Sequence, residues 1–407
     1  MIEQFMINIK DVKDAEKTLK GVAKITPVEH SRTFSEMSGN DVYLKLENLQ
    51  TTGSFKLRGA YNKIYHATEE ERKRGIVATS AGNHSQGVAY AAKLLNVKAT
   101  IFMPIFTSPS KIIATKNYGA EIQLFGETYD ECNKKAIEYA DKNNKIFVHS
   151  FNDPYVIAGQ ATIGMEIYEQ IKDLDAVVVP IGGGGLISGI AFALKSLNNK
   201  IKVIGVEAEG ASSMKYSVEK GEIEPLVKLD TIADSISVKI PGPLTLDMVK
   251  LYVDELLTVK DEEIANAMYL LLTRNKIVTE PAGAVSLAAI LSGKIKMKNK
   301  KICAVISGGN VDFNLLTQVI QKGLLNEKLM IKISVIIPDK PGSLKQILNY
   351  LSERQTNVQD ISIDRIENDV PAGMAKINII VQTIGAENIK EIVNFLKAQN
   401  ITYKISD

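Results

Sequence analysis

The 407-residue chain has no tryptophan, two cysteines and four histidines. Two cysteines, Cys132 and Cys303, are too few for a disulfide scaffold, and the scattered histidines form no metal-binding motif. The longest apolar runs, such as residues 176–181, are far shorter than the roughly 20 residues that a membrane-spanning helix needs. The first residues also lack the cationic and apolar stretches of a secretory signal. We therefore expect a cytoplasmic protein that binds no membrane.

The chain also has little net charge. Its 49 Lys and Arg residues nearly balance 47 Asp and Glu residues, for a formal charge of +2. No dense basic run with interleaved aromatic residues is present, so we expect no nucleic-acid partner. A hydrophobic content of 45% is ordinary for a globular protein, and the length suits two or three domains.

Short apolar strands alternate with longer helical patterns from about residue 75 onward, as in "GIVATS" followed by "HSQGVAYAAKLLN". Continuous apolar strands separated by helices are typical of a parallel sheet that is covered on both faces. Ligands of such sheets bind beyond the carboxyl ends of the strands. Residues 80–84, 182–185 and 307–310 each follow an apolar strand directly. We therefore expect these three segments on one rim.

The pattern changes near residues 321–330. The rest of the chain reads as strand, helix, two strands, helix and strand, which predicts a ferredoxin-like βαββαβ module. We therefore expect two domains, residues 1–325 and residues 326–407.

One lysine, Lys56, lies between small and apolar residues in "TTGSFKLRGA". Gly53 and Ser54 leave room for a bulky group, while Phe55 and Leu57 provide dry surroundings. A desolvated lysine loses its proton more readily and becomes a nucleophile toward carbonyl groups. A solvated lysine in a surface loop is the alternative, because buried lysines are uncommon.

Three further segments carry candidate ligand contacts. The four glycines in "PIGGGGLISGIAFAL" lie between a strand and a helix, where backbone N–H groups can hold a phosphate, although a plain flexible loop is the alternative. In "SAGNHSQG", backbone N–H groups and the Ser80 hydroxyl can hold a carboxylate, whereas Asn83 or Ser85 can instead cap a helix. His84 suits a structural role better than a catalytic one. In "ISGGN", Ser307 can bond to a ring nitrogen or simply begin a turn.

Together and in this order, these segments resemble the fold type II (tryptophan-synthase-β-like) pyridoxal-phosphate enzymes, and among them threonine dehydratase, also called threonine ammonia-lyase. The matching stretches are "GSFKLRGA", "SAGNHSQGVAYAA", "GGGGLISG", "TEPAGA" and "SGGN", and the resemblance runs from about residue 15 to 320. It implies an α/β catalytic domain with twisted, mostly parallel sheets covered by helices. The C-terminal part, with "PDKPGSL", resembles an ACT-type regulatory domain more loosely.

The resemblance also implies site residues. Lys56 would form the Schiff base with pyridoxal 5′-phosphate and later remove the substrate's Cα proton, and Phe55 would pack beside the cofactor. Asn83 would contact the cofactor's 3′-oxygen and Ser307 its pyridine nitrogen. The implied phosphate site is Gly182, Gly183, Gly184, Gly185 and Leu186. The implied substrate site is Ser80, Ala81, Gly82, Asn83 and His84. Glu280 would lie near the cofactor, with its role left open.

The chain departs from serine racemase, a related enzyme, at two places. Ala81 stands where the racemase has its second acid–base serine, so we expect weak racemization. The racemase metal site maps onto Glu207, Ala211 and Ser213, where a serine replaces a carboxylate. Divalent binding is therefore in doubt, and a monovalent cation is the remaining candidate.

The expected activity is deamination of L-threonine to 2-oxobutanoate and ammonia, and of L-serine to pyruvate, for isoleucine biosynthesis. The expected effector is isoleucine or valine, and the expected assembly is a homo-oligomer, a tetramer or a dimer. A catabolic threonine or serine dehydratase and a β-replacement synthase are the alternatives within the same fold. A non-catalytic amino-acid sensor is the alternative from another class of protein.

Overall fold

The computed structural model describes residues 7–406, which divide between residues 312 and 313 into an N-terminal and a C-terminal unit. The strands of the N-terminal unit are β1 (Val28–His30), β2 (Asp41–Leu46), β3 (Ile76–Thr79), β4 (Ala99–Met103), β5 (Glu121–Leu124), β6 (Ile146–Phe147), β7 (Ala176–Pro180), β8 (Lys202–Ala208), β9 (Glu255–Val259) and β10 (Lys301–Ile306). Its helices are α1 (Ile9–Leu19), α2 (Arg32–Ser38), α3 (Lys56–Tyr65), α4 (Glu69–Arg74), α5 (Asn83–Leu94), α6 (Pro109–Asn117), α7 (Tyr129–Lys142), α8 (Pro154–Gln170), α9 (Gly185–Leu197), α10 (Ser213–Lys220), α11 (Pro243–Tyr252), α12 (Asp261–Leu270) and α13 (Pro281–Leu291).

The strands of this unit form two sheets. The larger has six strands in the order β1-β2-β10-β7-β8-β9, all parallel to their neighbours except β1, and the smaller has four parallel strands in the order β5-β4-β3-β6. Strands β3, β4 and β7 are buried along their whole length, which explains their unbroken apolar sequence. The predicted α/β fold with mostly parallel sheets is confirmed.

The expectation of one shared rim is wrong. Residues 80–84 follow β3 of the four-stranded sheet, whereas residues 182–185 and 307–310 follow β7 and β10 of the six-stranded sheet. An apolar run shows that a strand is buried on both faces, but it does not show which strand lies beside it. Residues 80–84 and 307–310 therefore meet across the two sheets, at the hydrogen bond between Asn83 and Asn310.

Helix α3 packs directly against the backbones of its neighbours α5 and α8. A Cβ atom built on Gly87 of α5 would lie 2.9 Å from the carbonyl carbon of Lys56. A Cβ atom built on Gly159 of α8 would lie 2.7 Å from the carbonyl oxygen of Arg58. Only glycine permits such close approach. The first turn of α3, which carries Lys56, is thereby fixed from two sides.

A buried group of four charges lies beside the same helix. The Arg58 guanidinium donates to both carboxylate oxygens of Glu47, at 3.0 and 2.8 Å, and to both of Glu166, at 2.5 and 3.0 Å. Lys45 Nζ donates to Glu166 Oε2 at 2.5 Å. Two cations thus balance two carboxylates. Removing any one partner would leave an uncompensated buried charge.

The two cysteines are free, and each is buried against a different sheet. Cys132, on α7, packs with Val77 and Phe102 of the four-stranded sheet. Cys303 belongs to β10, in the middle of the six-stranded sheet. Burial raises the pKa of each thiol to about 12. Both thiols are therefore protonated and unreactive in the folded protein.

The C-terminal unit contains α14 (Phe313–Asn326), β11 (Met330–Pro338), α15 (Ser343–Glu353), β12 (Val358–Asp364), β13 (Met374–Gln382), α16 (Ala386–Ala398) and β14 (Thr402–Ser406). Its antiparallel sheet has the order β12-β13-β11-β14. Alternate residues of β11 and β13, among them Ile333, Val335, Ile377 and Ile379, form a core with α15 and α16. From β11 onward the elements follow the predicted order of strands and helices.

Within residues 7–406, no helix combines the length and the apolar character needed to cross a lipid bilayer.

Candidate active site

Lys56 is the first residue of α3, and its side chain is partly buried. Its Nζ donates to the carbonyl oxygen of Ser150 at 2.8 Å and lies 5.2 Å from the centroid of the Phe55 ring. Burial lowers the pKa of the Lys56 amine to about 8, although the Glu280 carboxylate acts in the opposite direction. Lys56 is therefore not the solvated surface lysine that was the alternative. With this pKa, roughly a tenth to a fifth of the amine is neutral between about pH 7 and pH 7.4, far more than for an ordinary lysine.

The loop that receives the Lys56 amine also contacts the glycine run. A Cβ atom built on Gly183 would lie 2.2 Å from Cδ1 of Phe151, and one built on Gly185 would lie 2.8 Å from the Phe151 Cα. Ser150 and Phe151 were missed at the sequence level. The only available signal was the position of "HSFNDP" directly after an apolar strand.

The glycine run leads into an uncapped helix. Gly184 is the N-cap of α9, with the left-handed φ of 91°, and no side chain in the described part of the chain caps this helix end. Leu186 is buried in its first turn. The Thr245 hydroxyl donates to the Gly183 carbonyl at 2.6 Å and holds the loop from behind. Free N–H groups and the positive end of the helix dipole suit a phosphate here.

Asn83 connects the two sheets through a chain of hydrogen bonds. Its Nδ2 donates to Glu280 Oε1 at 2.5 Å, and its Oδ1 accepts from Asn310 Nδ2 at 2.7 Å. The Ser235 hydroxyl donates to Glu280 Oε2 at 3.1 Å. The N-cap of α5 is Gly82, so the helix-capping role considered for Asn83 is wrong. The capping role considered for Ser85 is also wrong, because its hydroxyl donates to the Gly82 carbonyl at 2.6 Å.

Glu280 has an unusual carboxyl group. Burial, assisted by the charge of Asp234, raises its pKa to about 7, against the hydrogen bonds from Asn83 and Ser235 and the charge of Lys111. A carboxyl group with this pKa exchanges a proton near neutral pH.

The loop after β3 has mixed roles. The Ser80 hydroxyl accepts from the Gly82 N–H at 3.0 Å, and the methyl group of Ala81 is partly exposed. His84 is buried, its Nε2 donates to the Val148 carbonyl at 2.9 Å, and burial lowers its pKa to about 3. A permanently neutral, enclosed imidazole supports the structural role expected for His84.

Ser307 adjoins the segment that carries Lys56. Its carbonyl accepts from the Phe55 N–H at 3.3 Å, and the following Gly308 pairs with Ser54 as an isolated bridge. The buried Ser307 hydroxyl lies 3.5 Å from the Ala282 carbonyl, a weak contact that leaves it able to bond to a ligand.

Two further hydroxyls next to Lys56 are buried without a hydrogen-bond partner among the described residues, those of Thr52 and Ser54. Buried polar atoms normally have partners, so these sites suit a bound polar group. A buried amine, an uncapped helix end and unpartnered hydroxyls together fit a cofactor with a carbonyl, a phosphate and a polar ring.

The three metal candidates contribute one carboxylate and one hydroxyl between them. Glu207 accepts from the backbone N–H groups of Met214 at 2.9 Å and Lys215 at 2.8 Å, and burial raises its pKa to about 8. Ala211 offers no side-chain ligand, and the buried Ser213 hydroxyl has no hydrogen-bond partner in the described chain. Residues 7–406 contain no group of three or more His, Cys, Asp and Glu side chains placed to share a metal ion.

A family model described as pyridoxal-phosphate dependent enzyme matches residues 19–308. The chain belongs to this family. The predicted cofactor, pyridoxal 5′-phosphate, is thereby confirmed.

Relatives support the same assignment. An L-threonine ammonia-lyase of Thermotoga maritima is 48% identical over 400 residues, which cover 98% of this chain and all of that protein. A catabolic L-threonine dehydratase of Staphylococcus aureus is 46% identical over 323 residues, covering 78% of this chain and 93% of that protein. The structure of a threonine deaminase from Solanum lycopersicum superposes with a TM-score of 0.73 at 37% identity, covering 78% of this chain and 94% of that one.

Proposed function

We propose that this protein deaminates L-threonine to 2-oxobutanoate and ammonia, and L-serine to pyruvate. The observation that carries the proposal is the Lys56 amine, whose pKa burial lowers to about 8 and which donates to the loop whose Phe151 packs against the glycine run. The similarity of nearly the whole chain to an L-threonine ammonia-lyase supports the choice of substrate.

Pyridoxal 5′-phosphate, when bound, supplies the carbonyl that captures the amine and the electron sink that stabilises negative charge at the substrate's α-carbon. Lys56 would hold it and, once free, accept the proton of that carbon at Nζ. The N–H groups of Gly182–Gly185 and Leu186 would hold the phosphate, with Phe55 beside the ring. The low pKa of Lys56 supports this role, because a neutral amine is needed for both tasks.

The remaining groups would orient the reactants. Ser307 would meet the pyridine nitrogen with a neutral hydroxyl, which favours elimination over a long-lived carbanion, and Asn83 would contact the 3′-oxygen. The substrate carboxylate would lie against the N–H groups of the loop from Ser80 to His84. Glu280, held by Asn83 and Ser235, can carry a proton close to these atoms near neutral pH.

For the C-terminal part we propose a regulatory ACT domain with a ferredoxin-like fold, residues 326–407, attached to a catalytic domain of residues 1–325. A groove of about 600 Å³ in the C-terminal unit supports this assignment. Ile337, Leu344 and Ile363 line it with apolar surface, and Asp339 and Arg365 form an ion pair at 2.8 Å beside it. Such a groove suits isoleucine or valine, which join an apolar side chain to two charges.

Three smaller proposals complete the assignment. The protein would act as a homo-oligomer, a tetramer or a dimer, because small modules with an open sheet face commonly pair. A monovalent cation would bind at Ser213, whose buried hydroxyl lacks a partner in residues 7–406. The low cysteine content supports a cytoplasmic location.

The test is the release of ammonia and 2-oxobutanoate from L-threonine by the purified protein, with and without isoleucine or valine. Release of both products in equal amounts supports the activity, and inhibition by isoleucine supports the biosynthetic role. No release from L-threonine or L-serine would contradict the proposal. Activity that responds to neither amino acid would favour the catabolic alternative.

A further inference from the structure

An ion pair joins the surroundings of the two sheets. Lys111 is on α6, which packs beside β5 of the four-stranded sheet and α5. Asp234 lies in the connection between α10 and α11, in a short turn that packs against α13, a helix that covers β7 and β10 of the six-stranded sheet. Lys111 Nζ and Asp234 Oδ2 are 2.6 Å apart. We call this contact the intersheet ion pair.

The two residues after Asp234 contact the candidate active site. The Ser235 hydroxyl donates to Glu280 Oε2 at 3.1 Å. The backbone of Ile236 lies against the glycine run, since a Cβ atom built on Gly182 would be 2.9 Å from the Ile236 Cα. We call residues 234–236 the covering segment. Its three consecutive residues contact α6, Glu280 and the phosphate loop in turn.

We propose that Lys111 and Asp234 are positioning residues whose ion pair holds the covering segment over Glu280 and the glycine run. Without the pair, the Ser235 hydrogen bond, the Ile236 packing contact and the bonds of the preceding Thr231 and Ile232 to the Asp261 carboxylate would still hold this part of the connection, but the covering segment would lose its ion pair with α6. The substrate would then enter a looser site, in which the Glu280 carboxyl group is held less precisely. This role extends the proposed deamination to residues outside the matching motifs.

The charges of the pair also act on Glu280. The charged groups that face its carboxyl are Lys56 on α3, Lys111 on α6 and Asp234 in the covering segment, and the neutral donors are Asn83 and Ser235. The Asp234 charge raises the pKa of Glu280, and the Lys111 charge lowers it. Loss of either partner would therefore loosen the covering segment to the same extent. Loss of Lys111 would raise the pKa of Glu280, whereas loss of Asp234 would lower it.

The test compares Lys111→Met and Asp234→Asn with a matched control, Lys228→Met, in the holoenzyme. Lys228 pairs with Asp230 at 2.8 Å in the same connection, and both side chains are more than three-quarters exposed. Hydrogen–deuterium exchange at residues 231–237 should accelerate about two- to fivefold in the first two variants, as expected for loss of one accessible ion pair. The KM for L-threonine should rise by a similar factor, and the control should match the parent in both measurements.

The apparent pKa of Glu280 distinguishes a direct effect of the two charges on its carboxyl group from a general loosening of the covering segment. The apparent pKa assigned to Glu280, read from the absorbance of the resting holoenzyme, should rise in Lys111→Met and fall in Asp234→Asn. The double variant with the two charges swapped, Lys111→Asp with Asp234→Lys, should return the hydrogen–deuterium exchange rate of residues 231–237 toward that of the parent. A Lys111→Met variant indistinguishable from the control in exchange would overturn the proposal. Shifts of the apparent pKa in the same direction in both variants would overturn the action on Glu280. The KM measurement rests on the proposed deamination, whereas the hydrogen–deuterium exchange and absorbance measurements do not. The positioning role and the proposed deamination can therefore fail separately.

Discussion

Desolvation determines the chemistry of single residues at this site. The same burial that lowers the pKa of Lys56 to about 8 raises that of Glu280 to about 7, because it disfavours the charged form of each. The ordinary pKa values of an amine and a carboxyl group lie six units apart, at 10.5 and 4.5. Burial brings the two pKa values close together near neutral pH. Both groups can therefore gain or lose a proton near neutral pH.

Replacement of Lys56 by alanine should abolish both the visible absorption band of the bound cofactor and the deamination. Other lysines are not a substitute, since the amine must reach the Ser150 carbonyl beside the glycine run. Absorption spectra and ammonia release with L-threonine check this. A variant that keeps the band and near-parental turnover would exclude Lys56 as the cofactor-binding residue.

Capture of pyridoxal 5′-phosphate by the apo-protein should accelerate as the pH rises through about 8, where the Lys56 amine becomes neutral. The sign follows from the lowered pKa, because the native protein releases this proton at a lower pH than a free lysine does. Stopped-flow absorbance at several pH values measures the midpoint. A midpoint near the ordinary lysine value of 10.5 would show that Lys56 is not desolvated.

Ala81→Ser should raise the racemization of serine modestly, because it restores a hydroxyl where serine racemase carries its second acid–base group. The gain should be small, since an acid–base group also needs tuned surroundings. Chiral analysis of D-serine formation measures it. D-serine at the parental level would show that the missing hydroxyl is not what limits racemization.

At the scale of elements, glycine contacts place the reactive lysine. The backbone of α5 touches that of Lys56 at Gly87, and the α8 backbone touches Arg58 at Gly159. Helix α3 also carries Arg58, the buried partner of both Glu47 and Glu166. The lysine therefore extends from a rigid first turn.

Gly87→Ala should cost about 1–3 kcal/mol of stability, the usual cost of overpacking, and should also weaken the cofactor's absorption band. Gly164→Ala is the matched control. Its Cβ would lie 2.9 Å from the Ile190 carbonyl at the contact of α8 with α9, away from Lys56. Thermal melts and spectra of both holoenzymes test this. Equal spectral effects in the two variants would contradict a specific role for Gly87.

Some of these elements were predictable from sequence and others were not. Strands β3, β7 and β10 are continuous apolar runs, so their burial and the loops that follow them could be predicted. The partition into two sheets could not, because it depends on strand pairing across long connections. Ser150 and Ser235 were missed for a related reason, since each acts through contacts with residues distant in the sequence.

For the whole molecule, a chain ending at residue 325 should remain active with hyperbolic kinetics and lose any response to isoleucine. The expectation rests on the family match, which covers residues 19–308 and so lies wholly within the truncated chain. Initial rates across threonine concentrations, with and without isoleucine, measure the effect. A truncated enzyme that responds to isoleucine as the full chain does would place the effector site elsewhere.

The two buried thiols allow the local opening of each sheet to be measured separately. Cys132 and Cys303 can react with an alkylating reagent only when α7 or β10 exposes them, because burial raises the pKa of both thiols to about 12. Labelling rates in the folded protein then measure local opening of the four-stranded and six-stranded sheets separately. A ligand bound to the glycine run should slow the labelling of Cys303, whose strand lies beside β7 and ends at Ile306, just before Ser307. The chain thus carries two natural chemical probes, and their labelling rates show whether the four-stranded or the six-stranded sheet opens first.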